Sequence, residues 1–191
     1  MFSNIRKLGL RICLLYLIAT PAFSIAQSKD LANQLILYAA QGDINAVQRA
    51  LASGISVNNA DSIHQATALH AAAAVGHIRL IELLIDKGAD LNALDRRGIT
   101  PLIVACATGQ ILSAKALIKA GANISIKPTL APTALIVAIQ TGNAQLVETL
   151  LLAKANVDQS DIFGTTPLQA ALLTNRENII KQVEQAVARN Q

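Results

Sequence analysis

Apolar side chains fall along the chain at spacings of three and four. Ile81, Leu84 and Ile85 form one stripe, Ala114, Leu117 and Ile118 a second, and Val147, Leu150 and Leu151 a third. Such a stripe lines one face of a short helix and leaves the other polar, so each segment predicts an amphipathic helix that has to be covered. A different kind of segment precedes each stripe: LILYAAQG, LHAAAAVG, LIVACATG, LIVAIQTG and, from Leu168, LQAALLTN. These are short, small-sided and apolar around most of their circumference. They predict a second set of helices, slim enough for a neighbour to approach closely.

The alternation is periodic. Gly42, Gly76, Gly109 and Gly142 separate the two segments of successive pairs and are spaced 34, 33 and 33 residues apart. A self-similar period near 33 predicts a stack of helix pairs, because no single pair can bury its stripe alone. Local signals agree with it. Thr100 and Thr166 stand where a hydroxyl caps a first turn, and Pro101 and Pro167 follow at the first helical position, where a missing N–H costs nothing. Gly88 and Gly121, just past the stripes, suit a left-handed helix stop.

Departures from the period carry their own expectations. One extra residue in the turn before Thr67 gives the 34. Lys154 replaces a helix-ending glycine, and a side chain held left-handed there costs on the order of 1 kcal/mol. The fourth unit therefore either ends differently or is a soft spot. Pro128 and Pro132 flank the fourth turn, which cannot then hydrogen-bond as a regular hairpin. In the last unit Glu177, Gln182 and Glu184 stand where inner units carry Ile, Leu or Ala. A polar outer face suits a capping unit, so the array is expected to end there.

The pattern D-x-x-G-x-T-P-L appears as Asp95–Leu102 and again as Asp161–Leu168. The second unit contributes Thr67-Ala68-Leu69-His70, Gly76-His77 and Gly88-Ala89-Asp90-Leu91-Asn92. Together these motifs resemble the ankyrin repeat, in about five units near 28–60, 61–94, 95–127, 128–160 and 161–191. The resemblance implies an all-α solenoid of stacked helix-turn-helix units with finger-like β-turn loops. It also implies a structural role for His70, bonding neighbouring backbone, and a non-catalytic module that docks a partner protein in a groove between fingers and first helices.

Carried over by position, that groove holds Ile63, His64 and Gln65, then Arg96, Arg97 and Ile99, then Thr129 and Leu130, and Ile162 and Phe163. The first helices add Val75, Thr108, Gln140 and Thr141. Ile63, Ile99, Leu130, Ile162 and Phe163 make the finger tips unusually apolar. Exposed around the Arg96–Arg97 pair they would form a contact with an anchoring centre; the competing expectation is that they fold back onto neighbouring fingers. Arg96, Arg97, Ile99 and Phe163 are the expected anchors.

Composition changes the picture in two respects. Aromatic residues make up 3% of the chain and Trp is absent, so the core is built from Ala, Leu, Ile and Val. The net charge of +4 is concentrated at one end: without Arg6, Lys7 and Arg11, thirteen basic residues face twelve acidic ones, and they are scattered. That balance gives no electrostatic footprint for nucleic acid or an anionic membrane. The three early cations precede the apolar run Ile12–Ala19, the breaker Thr20-Pro21 and the small-x-small site Ser24-Ile25-Ala26. This is the layout of a secretory signal peptide over residues 1–26, with cleavage expected between Ala26 and Gln27. An uncleaved anchor from Leu8 to Ile25 is the alternative, and Arg11 and Pro21 interrupt it.

Candidate chemistry is sparse. Phosphate loops, paired-histidine zinc helices and nucleophile elbows are absent from the sequence. Cys106 is the single cysteine past the leader and falls on an apolar helix, which predicts a buried, inert thiol. His70 and His77 read as scaffold, and His64 as a solvated loop histidine. Asn123-Ile124-Ser125 matches a glycosylation sequon but reads as chance in a chain of bacterial style. No cofactor, metal or catalytic residue is expected. The reading is a monomeric, exported, periplasmic protein that binds another protein as an adaptor or accessory factor. An immunity protein against a periplasm-acting toxin and a released effector binding host proteins are the alternatives.

Overall fold

The computed structural model describes residues 21–190, with side chains from Leu31 to Arg189. Among these residues ten α-helices follow one another: α1 (Pro21–Gln41), α2 (Ile44–Ala52), α3 (Ala68–Val75), α4 (Ile78–Asp86), α5 (Pro101–Ala107), α6 (Ile111–Lys119), α7 (Ala134–Gln140), α8 (Ala144–Leu152), α9 (Pro167–Thr174) and α10 (Glu177–Asn190). Residues 1–20 of the expected leader lie outside the described residues, and α1 runs across the expected cut at Ala26. The helices form five antiparallel pairs. First helices stack in the order α1, α3, α5, α7, α9, and second helices from α4 through α6 and α8 to α10. No strand occurs among the described residues; one isolated bridge joins Ala60 and Thr67.

The first helices pack closely because equivalent positions carry Ala72, Ala105, Ala138 and Ala171, all fully buried. The covered face of the second helices is shifted one residue from the expected stripe. Helix α4 buries Leu80, Ile81 and Leu84, and α8 buries Leu146, Val147 and Leu150, while Ile85 and Leu151 are half-buried. Leu80 to Ile85 offers four apolar positions on one face, and the core takes the first three. In α6 this register puts Ser113 where its neighbours carry Leu80 and Leu146. Its hydroxyl is fully buried and has no hydrogen-bond partner.

Helix ends follow the expected chemistry. The Thr100 and Thr166 hydroxyls accept the N–H groups of Ile103 and Gln169, each at 3.3 Å. Lys154 resolves the question it raised: its φ is +64°, so the fourth unit ends as the others do, with Ala155 N–H donating to Leu150 O at 2.9 Å, as Ala89 N–H does to Leu84 O. The strain is accepted in place. At the end of α9 Asn175 (φ +54°) fills the glycine position, which asparagine tolerates better than most residues.

Three of the fingers are built on a buried or sheltered carboxylate. Asp95 Oδ1 accepts the N–H groups of Arg97 and Ile99, both at 2.8 Å, and Asp161 Oδ1 those of Phe163 and Thr165 at 2.8 and 2.9 Å. In the longer second finger Asp61 accepts from Ile63, His64 and Ala66. Burial pushes the Asp61 carboxyl up, but these N–H groups and the His64 ring outweigh it and hold the group below its ordinary value. The fourth finger has Pro128 in the carboxylate's place. It hangs on the third through Leu130 N–H to Arg97 O at 3.2 Å, and Thr129 lies against Gly98, where an added Cβ would be 2.8 Å from the Thr129 nitrogen.

His70 ties these parts together. Its Nδ1 accepts the Thr67 N–H at 3.1 Å, so Nε2 carries the proton and donates to the Ile99 carbonyl at 3.0 Å, joining α3 to the third finger. Burial lowers its pKa, against the bond to Ile99 and the charge of Asp95, which raise it. His77 opens α4 and donates from Nε2 to Ala40 O at 3.2 Å, with its ring over Gly42. Both histidines are scaffold.

Three outcomes follow for chemical denaturation. Lys154→Gly removes the strained side chain and is expected to stabilise the fold by about 1 kcal/mol. Ser113→Ala removes a buried unpaired hydroxyl, and an increase of about 1 kcal/mol is expected. The native fold holds His70 neutral below its ordinary pKa of 6.5, so the unfolded chain binds the extra proton. Stability then falls as pH drops below 6.5, by at most about 1.4 kcal/mol per pH unit from this group. His70→Gln should remove that dependence between pH 6.5 and 5 and stay folded, because Gln169 makes the same cap in the fifth unit, accepting Thr166 N–H at 2.9 Å.

Candidate protein-binding groove

Two neighbouring clefts open between the fingers and the first helices. One, of about 450 Å³, has Ile99, Ile103, Val104 and Val137 at its floor and Arg97, Thr108, Leu130 and Pro132 around it. The next, of about 480 Å³, shares Pro132 and is lined by Gln140, Phe163, Thr165, Leu173, Thr174 and Arg176, with Asp161 beneath. A larger cleft of about 950 Å³ lies elsewhere, between α8 and α10, and includes Lys154, Gln182 and Arg189.

Of the residues expected in the groove, Arg97, Ile99, Thr108 and Leu130 meet in the first cleft, and Gln140 and Phe163 in the second. The others line neither. Ile63, His64, Gln65 and Arg96 are exposed on the second and third fingers, Thr129 and Ile162 on the fourth and fifth, and Val75 and Thr141 at the ends of α3 and α7. Ile99 is a correction. It was expected at an exposed tip but is 8% exposed, because its N–H is held by Asp95 and its carbonyl by His70, which turn the side chain inward. The remaining tips stay outside: Leu130 is 65% exposed and Phe163 78%.

Sequence reasoning missed the floor residues Ile103, Val104 and Val137, and also Pro132, Thr165, Leu173, Thr174 and Arg176. Leu173, 83% exposed, stands two residues before Asn175, as Gln140 stands two before Gly142. Extending the helix register by one unit was signal enough to find it. Arg176 follows Asn175 as His77 follows Gly76, and its guanidinium donates to Gly142 O at 2.7 Å.

The polar groups of the groove are largely committed. The hydroxyls of Thr108, Thr141 and Thr174 donate to the carbonyls of Val104, Ala138 and Ala171 at 3.0, 3.0 and 2.7 Å. What these threonines offer outward is a methyl group and an acceptor oxygen. Arg97 lies 3.5 Å from Asp95 and keeps most of its surface in solvent. His64 lies 3.5 Å from Asp61 on an equally open finger. The Cys106 thiol is buried at the base of α5, and burial pushes its pKa up to about 12, which leaves no thiolate for chemistry. Among the described residues no group of three or more His, Cys, Asp or Glu side chains is placed to hold a metal ion. Nor is any described helix long and apolar enough to cross a membrane.

Family models place this architecture. Residues 35–128 match a model of ankyrin repeats in three copies, and residues 133–162 match an ankyrin repeat. The chain is also similar to an ankyrin repeat-containing protein of Schizosaccharomyces pombe, with 42% identity over 34% of this chain and 30% of that one. A potassium channel of Oryza sativa subsp. japonica is 49% identical over 33% of this chain and 7% of its own length. A serine/threonine-protein kinase of Arabidopsis thaliana is 41% identical over 36% of this chain and 15% of its own length. The chain thus spans less than a third of each of these relatives. With its helix pairs, capped fingers and bridging His70 already in view, the chain belongs to the ankyrin-repeat family, whose members are typically non-catalytic modules that bind other proteins.

Proposed function

We propose that the protein is a monomeric binding module that docks another protein in the two clefts between its fingers and first helices, as an adaptor or accessory factor. The observation that carries this reading is the row of Leu130, Phe163 and Leu173, each more than three-fifths exposed and set beside Arg97 and Arg176. Apolar side chains of this size are stabilised by about 1.5–3 kcal/mol each when fully covered. Held on a packed scaffold they lose little entropy on docking, so a few anchors suffice.

Export is part of the proposal and rests on the sequence of the leader. Arg6, Lys7 and Arg11, the apolar run Ile12–Ala19 and the Ser24-Ile25-Ala26 site support secretion to the periplasm with cleavage before Gln27. Residues 27–191 retain every core residue among those described, the first of which is Ala32.

Affinity capture from periplasmic extract tests both parts. Residues 27–191 should retain a partner that the triple variant Arg96→Glu, Arg97→Glu, Phe163→Ala loses, with circular dichroism showing that the variant is folded. Equal capture by both proteins places the contact elsewhere. Recovery of the protein from the cytoplasmic fraction with its N-terminus intact removes export from the proposal.

A further inference from the structure

We infer that the groove takes an extended, acidic segment of its partner, with apolar side chains about three residues apart and carboxylates beside them. This rests on the protein-binding reading above and names the chemistry of the segment.

The first argument is charge. The described fingers contain three carboxylates, Asp61, Asp95 and Asp161, and each is occupied by backbone N–H groups of its own turn. The first helices α3, α5, α7 and α9 carry no acidic or basic side chain apart from the buried His70. The exposed acids Glu82, Asp86, Glu148, Glu177 and Glu184 belong to second helices, and Asp90 and Asp158 to the loops that follow them. Arg96, Arg97 and Arg176 are thus the exposed charges beside the clefts; Asp95 lies 3.5 Å from Arg97, and the finger aspartates turn toward their own N–H groups. A ligand that brings carboxylates to them gains charge-assisted hydrogen bonds, and a basic ligand meets three exposed guanidinium groups.

The second argument is the hydrogen-bond inventory. With the hydroxyl protons of Thr108 and Thr174 committed to helix carbonyls, the charged donors at the clefts are the arginines, beside the neutral Gln140 amide and Thr165 hydroxyl. A partner's acceptors are directed to them, while Thr108 and Thr174 accept from a passing N–H.

The third is spacing. The clefts share Pro132 and belong to successive units, whose first helices pack side by side. Packed helices lie about 8–10 Å apart, and three residues of an extended polyproline-II chain rise about 9 Å and bring the side chain back to the same face. One apolar side chain reaches the floor by Ile99 and Val104, and a second, three residues on, reaches Phe163 and Leu173. A lipid surface fits less well, because a flat bilayer does not reach recessed floors.

The test is a random 12-residue peptide library displayed on phage, selected on the protein purified from cells expressing the full chain. The strongest clones are then made as labelled peptides for fluorescence anisotropy. The expected result is enrichment of Asp or Glu beside two apolar residues three apart. Affinity should fall at least tenfold in Arg97→Glu, and a peptide with the matching acid changed to Lys should recover on that variant. Selected peptides without acids, whose binding is still lost in Leu130→Ser or Phe163→Ser, would overturn this inference and leave the groove reading standing. Peptides indifferent to all of these substitutions would overturn both, as would a library that yields no binder. Arg97-dependent binding to phosphatidylglycerol vesicles without peptide binding would replace the acidic segment with a membrane.

Discussion

Ala72, Ala105, Ala138 and Ala171 occupy the same place in successive first helices, and solvent reaches none of them. Everything else in the stack depends on how closely those helices approach across them. The second helices can share one apolar layer only if the units sit at that spacing. The fingers can touch, with Arg96 N–H reaching His64 O at 2.8 Å, only if the units below them are equally near. A larger side chain in the row would force neighbours apart at a cost of roughly 1–3 kcal/mol, and the effect would reach the groove before any groove residue had changed.

Scaffold and surface draw on the same residues here, and that sets the character of the groove. Aspartates fold the fingers by giving their lone pairs to local N–H groups, and threonines close the first helices by giving their protons to carbonyls. Once those commitments are made, arginine side chains, methyl groups and aliphatic surface are left to face outward. The positive, apolar nature of the cleft walls is a remainder of the folding chemistry. The exposed charges beside the clefts are then those of Arg96, Arg97 and Arg176, while Asp61, Asp95 and Asp161 turn toward their own fingers.

Much of this was legible in the sequence because it is local or periodic. The spacing of Gly42, Gly76, Gly109 and Gly142, the caps at Thr100 and Thr166 and the scaffold role of His70 all follow from residue type and offset, and each is found in place. Two features were not legible. The buried face of α4 and α8 is one residue off the expected stripe, because four adjacent apolar positions satisfy the helical period and only packing selects among them. Ile99 was placed outside because the repeat resemblance sets it by position at a finger tip; its direction is set by a carboxylate and by a histidine 29 residues earlier, which no local pattern encodes. Of the first cleft, Arg97, Ile99, Thr108 and Leu130 were anticipated but the floor of Ile103, Val104 and Val137 was not, while Leu173 and Arg176 in the second were missed because the last unit was read chiefly as a cap.

Among the described residues the fifth unit packs on one neighbouring unit, α9 on α7 and α10 on α8. In a linear stack each interface contributes its own share of the stability, so an end unit detaches at lower free-energy cost than an interior one. Phe163, Leu173 and Arg176 belong to that end, while Arg97, Thr108 and Leu130 belong to the interior. A ligand lying across both clefts therefore acts as a tether between a firm region and a fraying one. Its binding would be read in slower amide exchange along α10, a helix it never touches.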